Sequence, residues 1–335
     1  MTHNSTRPRV ACGSLGGTIT MLAEASGGLV PALTADDLVA ELPQLDEVAT
    51  VTTATFSHVA GPAVEIAVVV RAVDWARQQV DAGAAGVVLI QGTDTLEETT
   101  YLAELLWDRD APLVFTGAMR SPAQVSPDGQ ANLLAAVKLA AAPAARGLGV
   151  MLVLDDTIHS AVLVHKADTT ALSAFQSYGG LALGRLSEGE VQLRDYVRRG
   201  EPLARPEAGL PWVPIWTAYL DDDGRGLSAL LAAQPSGLVI AGMGVGHATP
   251  KLADIIAGAV LQGLPVVVAS RIGQGGAKYH TYGFVGSEID LQARGAIMAG
   301  DLNAYKARLL LALLIANQAD PARIAQEFAQ RGRRH

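Results

Sequence analysis

Short β-branched runs alternate with longer amphipathic segments along most of this chain, and that alternation restricts its fold more than any other feature. Residues 48–55, 86–90, 113–116 and 150–154 read as strands, because Val, Ile, Leu and Thr cluster there between turn residues. Residues 64–80, 96–107 and 131–141 carry apolar side chains at three- and four-residue spacing, as helices with one buried face do. Such alternation implies parallel strands joined by right-handed crossovers. Composition agrees: 50% of residues are hydrophobic but 5% are aromatic, so the core is built from Ala, Val, Leu and Ile. The pattern breaks at residues 193–211, a polar stretch with Arg, Pro and Gly, and then resumes. Strands follow at 212–217, 237–241 and 265–269, and helices at 227–233, 250–257, 303–317 and 320–330. The 335 residues suit two domains. We expect a larger N-terminal α/β domain over residues 1–192, with a mostly parallel sheet flanked by helices. A linker at 193–211 leads to a smaller C-terminal α/β domain over 212–335.

Several function classes drop out early. A net charge of −8 repels phosphate backbones, so no nucleic-acid partner is expected. Cys12 is the one cysteine, which excludes an intrachain disulfide, and at the end of a buried strand it reads as packing rather than as a nucleophile. The 7 histidines form no HExxH or HxxEH pattern, so no metal site is expected, and there is no GxSxG elbow. The opening residues have no apolar stretch, and the apolar run 309–316 is far below the roughly 18 residues of a membrane span. The expectation is a cytoplasmic protein with no membrane partner. Gly242-Met243-Gly244-Val245-Gly246 hints at a dinucleotide loop, but His247 follows and GxGxxG is incomplete.

In open parallel sheets the ligand lies beyond the carboxyl ends of the strands, so the turns there hold the chemistry. The first is Cys12-Gly13-Ser14-Leu15-Gly16-Gly17-Thr18, a flexible turn followed by a hydroxyl and lacking the phosphate-loop lysine. Another is Gln91-Gly92-Thr93-Asp94-Thr95-Leu96-Glu97-Glu98. A purely structural account makes Thr95 or Asp94 a helix cap, with Glu98 completing a capping box and the acids complementing the helix dipole. That account leaves Thr93 and Asp94 together unexplained. Gly117-Ala118-Met119-Arg120-Ser121 is a further loop at this end, and Lys166 lies in a mixed polar stretch where a solvated charge is the ordinary reading.

Together these segments resemble the bacterial-type asparaginase/glutaminase family. The likeness rests on Gly16-Gly17-Thr18-Ile19 and on Gly92-Thr93-Asp94-Thr95-Leu96-Glu97-Glu98-Thr99. It extends to Gly117-Ala118-Met119-Arg120 with Ser126-Pro127-Asp128-Gly129 and Asn132-Leu133, and to Lys166-Ala167-Asp168-Thr169-Thr170 with Phe175 and Ser177. The resemblance implies that Thr18 attacks a side-chain amide carbon and forms an acyl-enzyme ester that water hydrolyses. It implies a second polar cluster of Thr93, Asp94 and Lys166. It places the amino-acid substrate against Ser57, His58, Gly92, Asp94 and the backbone carbonyl of Ala118. It further implies no metal or organic cofactor, and a homotetramer built from two tight dimers, each site completed by a neighbour's C-terminal domain. The chemistry suits the residues. A threonine hydroxyl needs a positioned base to attack at neutral pH, and a lysine serves as one when desolvation lowers its pKa.

The sequence departs from the family in places. Residues 19–30, the lid stretch, hold no tyrosine; the family's Ser-Gln pair is Ser57-His58; and the C-domain asparagine is His247. The acidic residue that meets the substrate amino group from the neighbouring chain has no clear match. From this gap we expect Tyr279, or failing that Tyr282, to supply the missing phenol. L-asparagine hydrolysis is the leading reading. The alternatives are an amidase acting on glutamine, a D-amino acid amide or another carboxamide, and a non-catalytic amino-acid-binding protein.

Overall fold

The computed structural model describes residues 7–23, 28–194 and 199–333. The chain divides into two compact units, Met1–Val197 and Arg198–His335. The N-terminal unit is built on an eight-stranded sheet. Its order is Glu190–Leu193, Gly184–Ser187, Thr157–Ser160, Val150–Leu154, Leu113–Thr116, Gly86–Ile90, Arg9–Gly16 and Thr50–Val59. The five strands from Val150–Leu154 onward run parallel, and the other three continue antiparallel from Val150–Leu154.

The apolar runs of Gly86–Ile90, Leu113–Thr116 and Val150–Leu154 are buried throughout because helices cover both faces. On one face Cys12, Val88, Ile90, Val114 and Met151 pack with Leu133, Ala136 and Leu139 of helix Gly129–Ala141. On the other, Gly13 lies so close to Leu89, Phe56 and Trp75 that a Cβ there would stand 2.8 Å from Leu89. Trp75 belongs to helix Ile66–Asp81, and its ring meets Phe56 edge-on at 5.4 Å.

Some boundaries differ from the sequence reading for identifiable reasons. Val48 closes a short helix, Leu45–Val48, and the strand expected at 48–55 runs over Thr50–Val59 instead. It continues because Phe56 packs on Trp75 and Val59 pairs with Gly16. The antiparallel strands were not anticipated. Two-residue turns with positive φ at both positions, Asp155-Asp156 and Glu188-Gly189, reverse the chain there. The last of these strands includes Leu193, and the Arg194 N–H donates to the Leu183 carbonyl, so the polar stretch begins beyond them. In the C-terminal unit the first strand is Ile215–Thr217 rather than 212–217, since Pro214 lacks an N–H to give the ladder.

The C-terminal unit carries a four-stranded parallel sheet, ordered Ile215–Thr217, Leu238–Gly242, Val266–Ser270 and Ile297–Met298. Leu227, Leu252 and Ile256 pack with Ile240 and Val268 on one face. Leu311 of helix Ala304–Ala316 packs at Gly237. The polar stretch after residue 198 lies along this unit: Asn317 Nδ2 donates to the Ala204 carbonyl, and the Arg331 guanidinium to that of Glu201. Among the described residues no helix is long and apolar enough to cross a membrane.

Helix Pro250–Leu261 is secured by Thr249, whose hydroxyl accepts from the Leu252 N–H at 3.2 Å and donates to the Asp222 carbonyl at 2.7 Å. Thr249→Ala should lower stability to urea by about 1–2 kcal/mol, while Thr249→Ser retains both bonds and most of the stability. Equal losses in the two variants would remove the hydroxyl from this account.

Candidate active site

The strand Arg9–Gly16 lies between two parallel neighbours, so its carboxyl end opens where the sheet's turns collect. Gly16 and Gly17 then take φ of 95° and 100°, a region that a side chain disfavours. Space enforces the same choice: a Cβ on Gly17 would stand 2.1 Å from the Gly92 nitrogen, and one on Gly92 would stand 2.8 Å from Gly61 Cα. Three turns thus meet backbone to backbone. Thr18 and Thr93 each follow one of the touching glycines. The turn after Gly17 is closed by buried Thr20, whose N–H and hydroxyl both donate to the Gly17 carbonyl, at 2.9 and 2.8 Å. Thr18 itself is half-buried. The stretch beyond it forms a short hairpin, Met21–Ala23 with Leu29–Pro31; residues 24–27 of the expected lid lie outside the described residues.

Thr93 is buried, and Lys166 Nζ donates to its hydroxyl oxygen at 3.0 Å and to Asp94 Oδ1 at 3.1 Å. The Lys166 side chain is 18% exposed and that of Asp94 58%. The structure therefore brings Thr93, Asp94 and Lys166 together, beside the Gly17–Gly92 contact that leads to Thr18. The capping reading of this turn is corrected. Thr95 is at the N-cap of helix Leu96–Leu106, but its side chain makes no cap bond. Its hydroxyl donates instead to the Gly61 carbonyl and accepts from Gln91 Nε2, each at 3.0 Å, which ties together the turns at 61 and 91.

Ala118 is buried in a loop held by Asp128, whose carboxylate accepts the N–H groups of Met119 at 3.0 Å and Arg120 at 2.8 Å. Asn132 Nδ2 donates to Asp128 and to the Gly117 carbonyl, both at 3.0 Å. Gly129 has no room for a Cβ because Ile19, the neighbour of Thr18, packs there. On the edge strand, Ser57 is half-buried and donates to the Leu15 carbonyl at 2.8 Å, while His58 is exposed. Cys12 is fully buried, and burial pushes its thiol up to about 12, which suits packing and not nucleophilic attack.

In the C-terminal unit, His247 Nε2 lies 3.1 Å from Glu288 Oε2, and the His247 ring meets Tyr282 and Phe284 edge-on. Glu288 is 0% exposed; its other oxygen accepts the N–H groups of Thr281 and Tyr282, each at 2.6 Å. Sequence reading missed this carboxylate, because Glu288 lies beyond the glycine-rich stretch of residues 271–282 and looks like any first-turn acid of a helix. Tyr279, expected to supply the missing phenol, faces its own unit. Its hydroxyl is buried without a hydrogen-bond partner and points at Gly300 of its own unit, where a Cβ would stand 2.7 Å away. Burial raises that phenol's pKa, and Tyr282 is the exposed tyrosine of the two. The glycines after Leu238–Gly242 turn the chain back on itself, with Met243 and His247 exchanging backbone hydrogen bonds at 2.7 and 2.8 Å. Among the described residues no three His, Cys, Asp or Glu side chains are grouped to hold a metal ion.

Residues 9–198 match the family model for asparaginase, N-terminal, and residues 212–328 that for the glutaminase/asparaginase C-terminal domain. The chain is 34% identical to an L-asparaginase of Bacillus licheniformis over 239 residues, 71% of this chain and 73% of that one. It is 37% identical to a probable L-asparaginase of Deinococcus radiodurans over 256 residues, 76% and 78% of the two. Its structure is similar to the crystal structure of a probable cytoplasmic L-asparaginase from Campylobacter jejuni. The TM-score is 0.87 and the identity 31%, covering 96% of this chain and 99% of that one.

Glu288 generates a pH dependence. Burial pushes its carboxyl up, but the backbone N–H groups around it, Tyr282 foremost, together with His247 outweigh burial and hold it below the usual range. Its contribution to stability is present above an unfolded value of about 4.3 and is lost as pH falls through the lower folded value. Thermal unfolding from neutral pH to about pH 3 should show an acid limb that is shallower in Glu288→Gln. An identical limb in the variant would assign acid sensitivity to other groups.

Proposed function

The chain belongs to the asparaginase family, matched along both of its parts, and from that premise we propose that it hydrolyses L-asparagine to L-aspartate and ammonia through a threonyl ester. The observation that carries the reading is the amine of Lys166 held on Thr93 and Asp94, beside the contact of Gly17 with Gly92. Relatives of that description support the choice of substrate.

Thr18 Oγ1 adds to the side-chain amide carbon; its proton passes by way of the Thr93–Lys166 pair to the departing nitrogen, and ammonia leaves a Thr18 ester of aspartate. Water then adds to the ester carbonyl, giving its proton back through the same pair, and Thr18 is released as the alcohol. Lys166 Nζ reaches the Thr93 hydroxyl oxygen, so in this reading the two exchange a proton along that hydrogen bond. Asp94 has one carboxylate oxygen on Lys166 and is exposed enough to meet the substrate α-ammonium. Ser57 and the backbone at Gly92 and Ala118 hold the rest of the amino acid.

The same reading makes the protein a homo-oligomer in which the C-terminal unit of a neighbour completes the site. Its support is a pair of exposed aromatic side chains in that unit, Tyr282 and Phe284, both packed edge-on against His247, with exposed Val285 next in the chain. A cytoplasmic location belongs to the reading as well, supported by the Campylobacter jejuni neighbour's description.

Two outcomes test this. Ammonia release from L-asparagine should fall at least about a thousandfold in Thr18→Ala, while calorimetry still detects asparagine binding. Release from glutamine or a D-amino acid amide, with none from L-asparagine, would move the substrate but keep the mechanism; no release from any amide would leave a binding protein. Sedimentation velocity should find a species of at least two chains, and a monomer at full activity would refute a shared site.

A further inference from the structure

We propose that Glu97 is a positioning residue for the reaction: its carboxylate, by accepting the backbone N–H of Lys166, holds the amine in register with Thr93 and Asp94. The inference rests on the amidohydrolase reading above.

The need for such a residue follows from topology. Thr93 and Asp94 follow strand Gly86–Ile90 of the eight-stranded sheet. Lys166 ends strand Val164–Lys166, which pairs with Phe175–Ser177 in a separate two-stranded ribbon. Two partners of one hydrogen-bonded cluster thus stand on backbones with no common ladder. The Lys166 N–H faces away from its ribbon partner and donates to Glu97 Oε2 at 3.0 Å. Glu97 opens the first turn of helix Leu96–Leu106, three residues after Asp94. Lys166 is therefore gripped twice from residues 93–97: at Nζ by Thr93 and Asp94, and at its backbone by Glu97.

A first-turn acid at a helix N-terminus is ordinarily a solvated partner of the helix dipole. Glu97 departs from that, because it is buried, at 9% exposure. A buried carboxylate requires strong hydrogen-bonding partners, and a backbone N–H on an ionised acceptor is one. Lysine's four-carbon stem has several rotatable bonds, so anchoring Nζ alone leaves the backbone end free to drift. An error of about 1 Å in a catalytic group costs on the order of a hundredfold in rate.

The test uses the full chain carrying Glu97→Gln, Glu97→Asp or Glu97→Ala, with ammonia release from L-asparagine measured across substrate concentration. Gln keeps the reach and the acceptor but loses the charge; Asp keeps the charge and draws the oxygen back by one methylene. We expect kcat within about fivefold of wild type for Gln and about 10- to 100-fold lower for Asp and Ala, with KM within about twofold throughout. Asp outperforming Gln would overturn the inference in favour of a charge effect. Losses that track melting temperature, or appear in KM rather than kcat, would overturn it in favour of general loosening. Should Glu97→Ala fail to fold, the Gln–Asp comparison still decides. Inactive wild type would overturn the amidohydrolase reading itself, an outcome distinct from active wild type with indifferent Glu97 variants.

Discussion

The site depends on a contact that contains no side chain. Gly17 and Gly92 approach until a Cβ on the first would overlap the nitrogen of the second, and Gly61 closes on Gly92 as well. This sets the distance between the turns that bear Thr18 and Thr93, since each threonine is one residue beyond a touching glycine. Side-chain packing tolerates rearrangement of a few tenths of an ångström, whereas backbone atoms in contact do not. Around this junction the polar bonds are mostly to backbone as well: Thr20 to Gly17, Thr95 to Gly61, Ser57 to Leu15. The sheet delivers the turns to one end, and the glycines determine how near they come.

Much of the scaffold was legible because its strands are buried on both faces. Runs such as Gly86–Ile90 have to be apolar throughout, and they stand out between polar turns. Thr157–Ser160 and Gly184–Ser187 were not legible, because they are short and their reversals at Asp155-Asp156 and Glu188-Gly189 lack the usual asparagine-glycine signature. The same contrast applies at the site. Thr93 and Asp94 stood out as more hydroxyl and acid than one helix cap requires, whereas Thr18 and Lys166 were singled out by the family resemblance. Asp128, Glu97 and Glu288 did not, since a carboxylate that accepts backbone N–H groups has the same sequence appearance as a solvated acid. The orientation of Tyr279 was not legible for a related reason: a glycine-rich segment does not reveal which way its tyrosines face.

These three carboxylates share a physical role. Each supplies acceptors to backbone N–H groups that no neighbouring strand takes up. Asp128 shapes the loop of Ala118, Glu97 takes the N–H of Lys166, and Glu288 gathers Thr281, Tyr282 and His247. Functional loops need irregular backbone, and irregular backbone needs fixed acceptors if it is to be rigid. Placing those acceptors on helix first turns, as with Glu97 and Glu288, adds the favourable dipole of the helix N-terminus.

The Lys166–Asp94 pair has a different rationale. With Asp94 more than half exposed, solvent screens the attraction, and such pairs contribute roughly 0–1 kcal/mol to folding. Ordering a lysine side chain costs about as much or more. The pair is therefore close to neutral for stability, and fold alone gives no reason for it. What the pair does fix is position, because Lys166 donates to two adjacent residues of one turn and so joins the Thr93 hydroxyl and the Asp94 carboxylate in one cluster. A cluster that adds little to folding yet holds an amine on a hydroxyl is what the proposed proton relay from Thr18 requires.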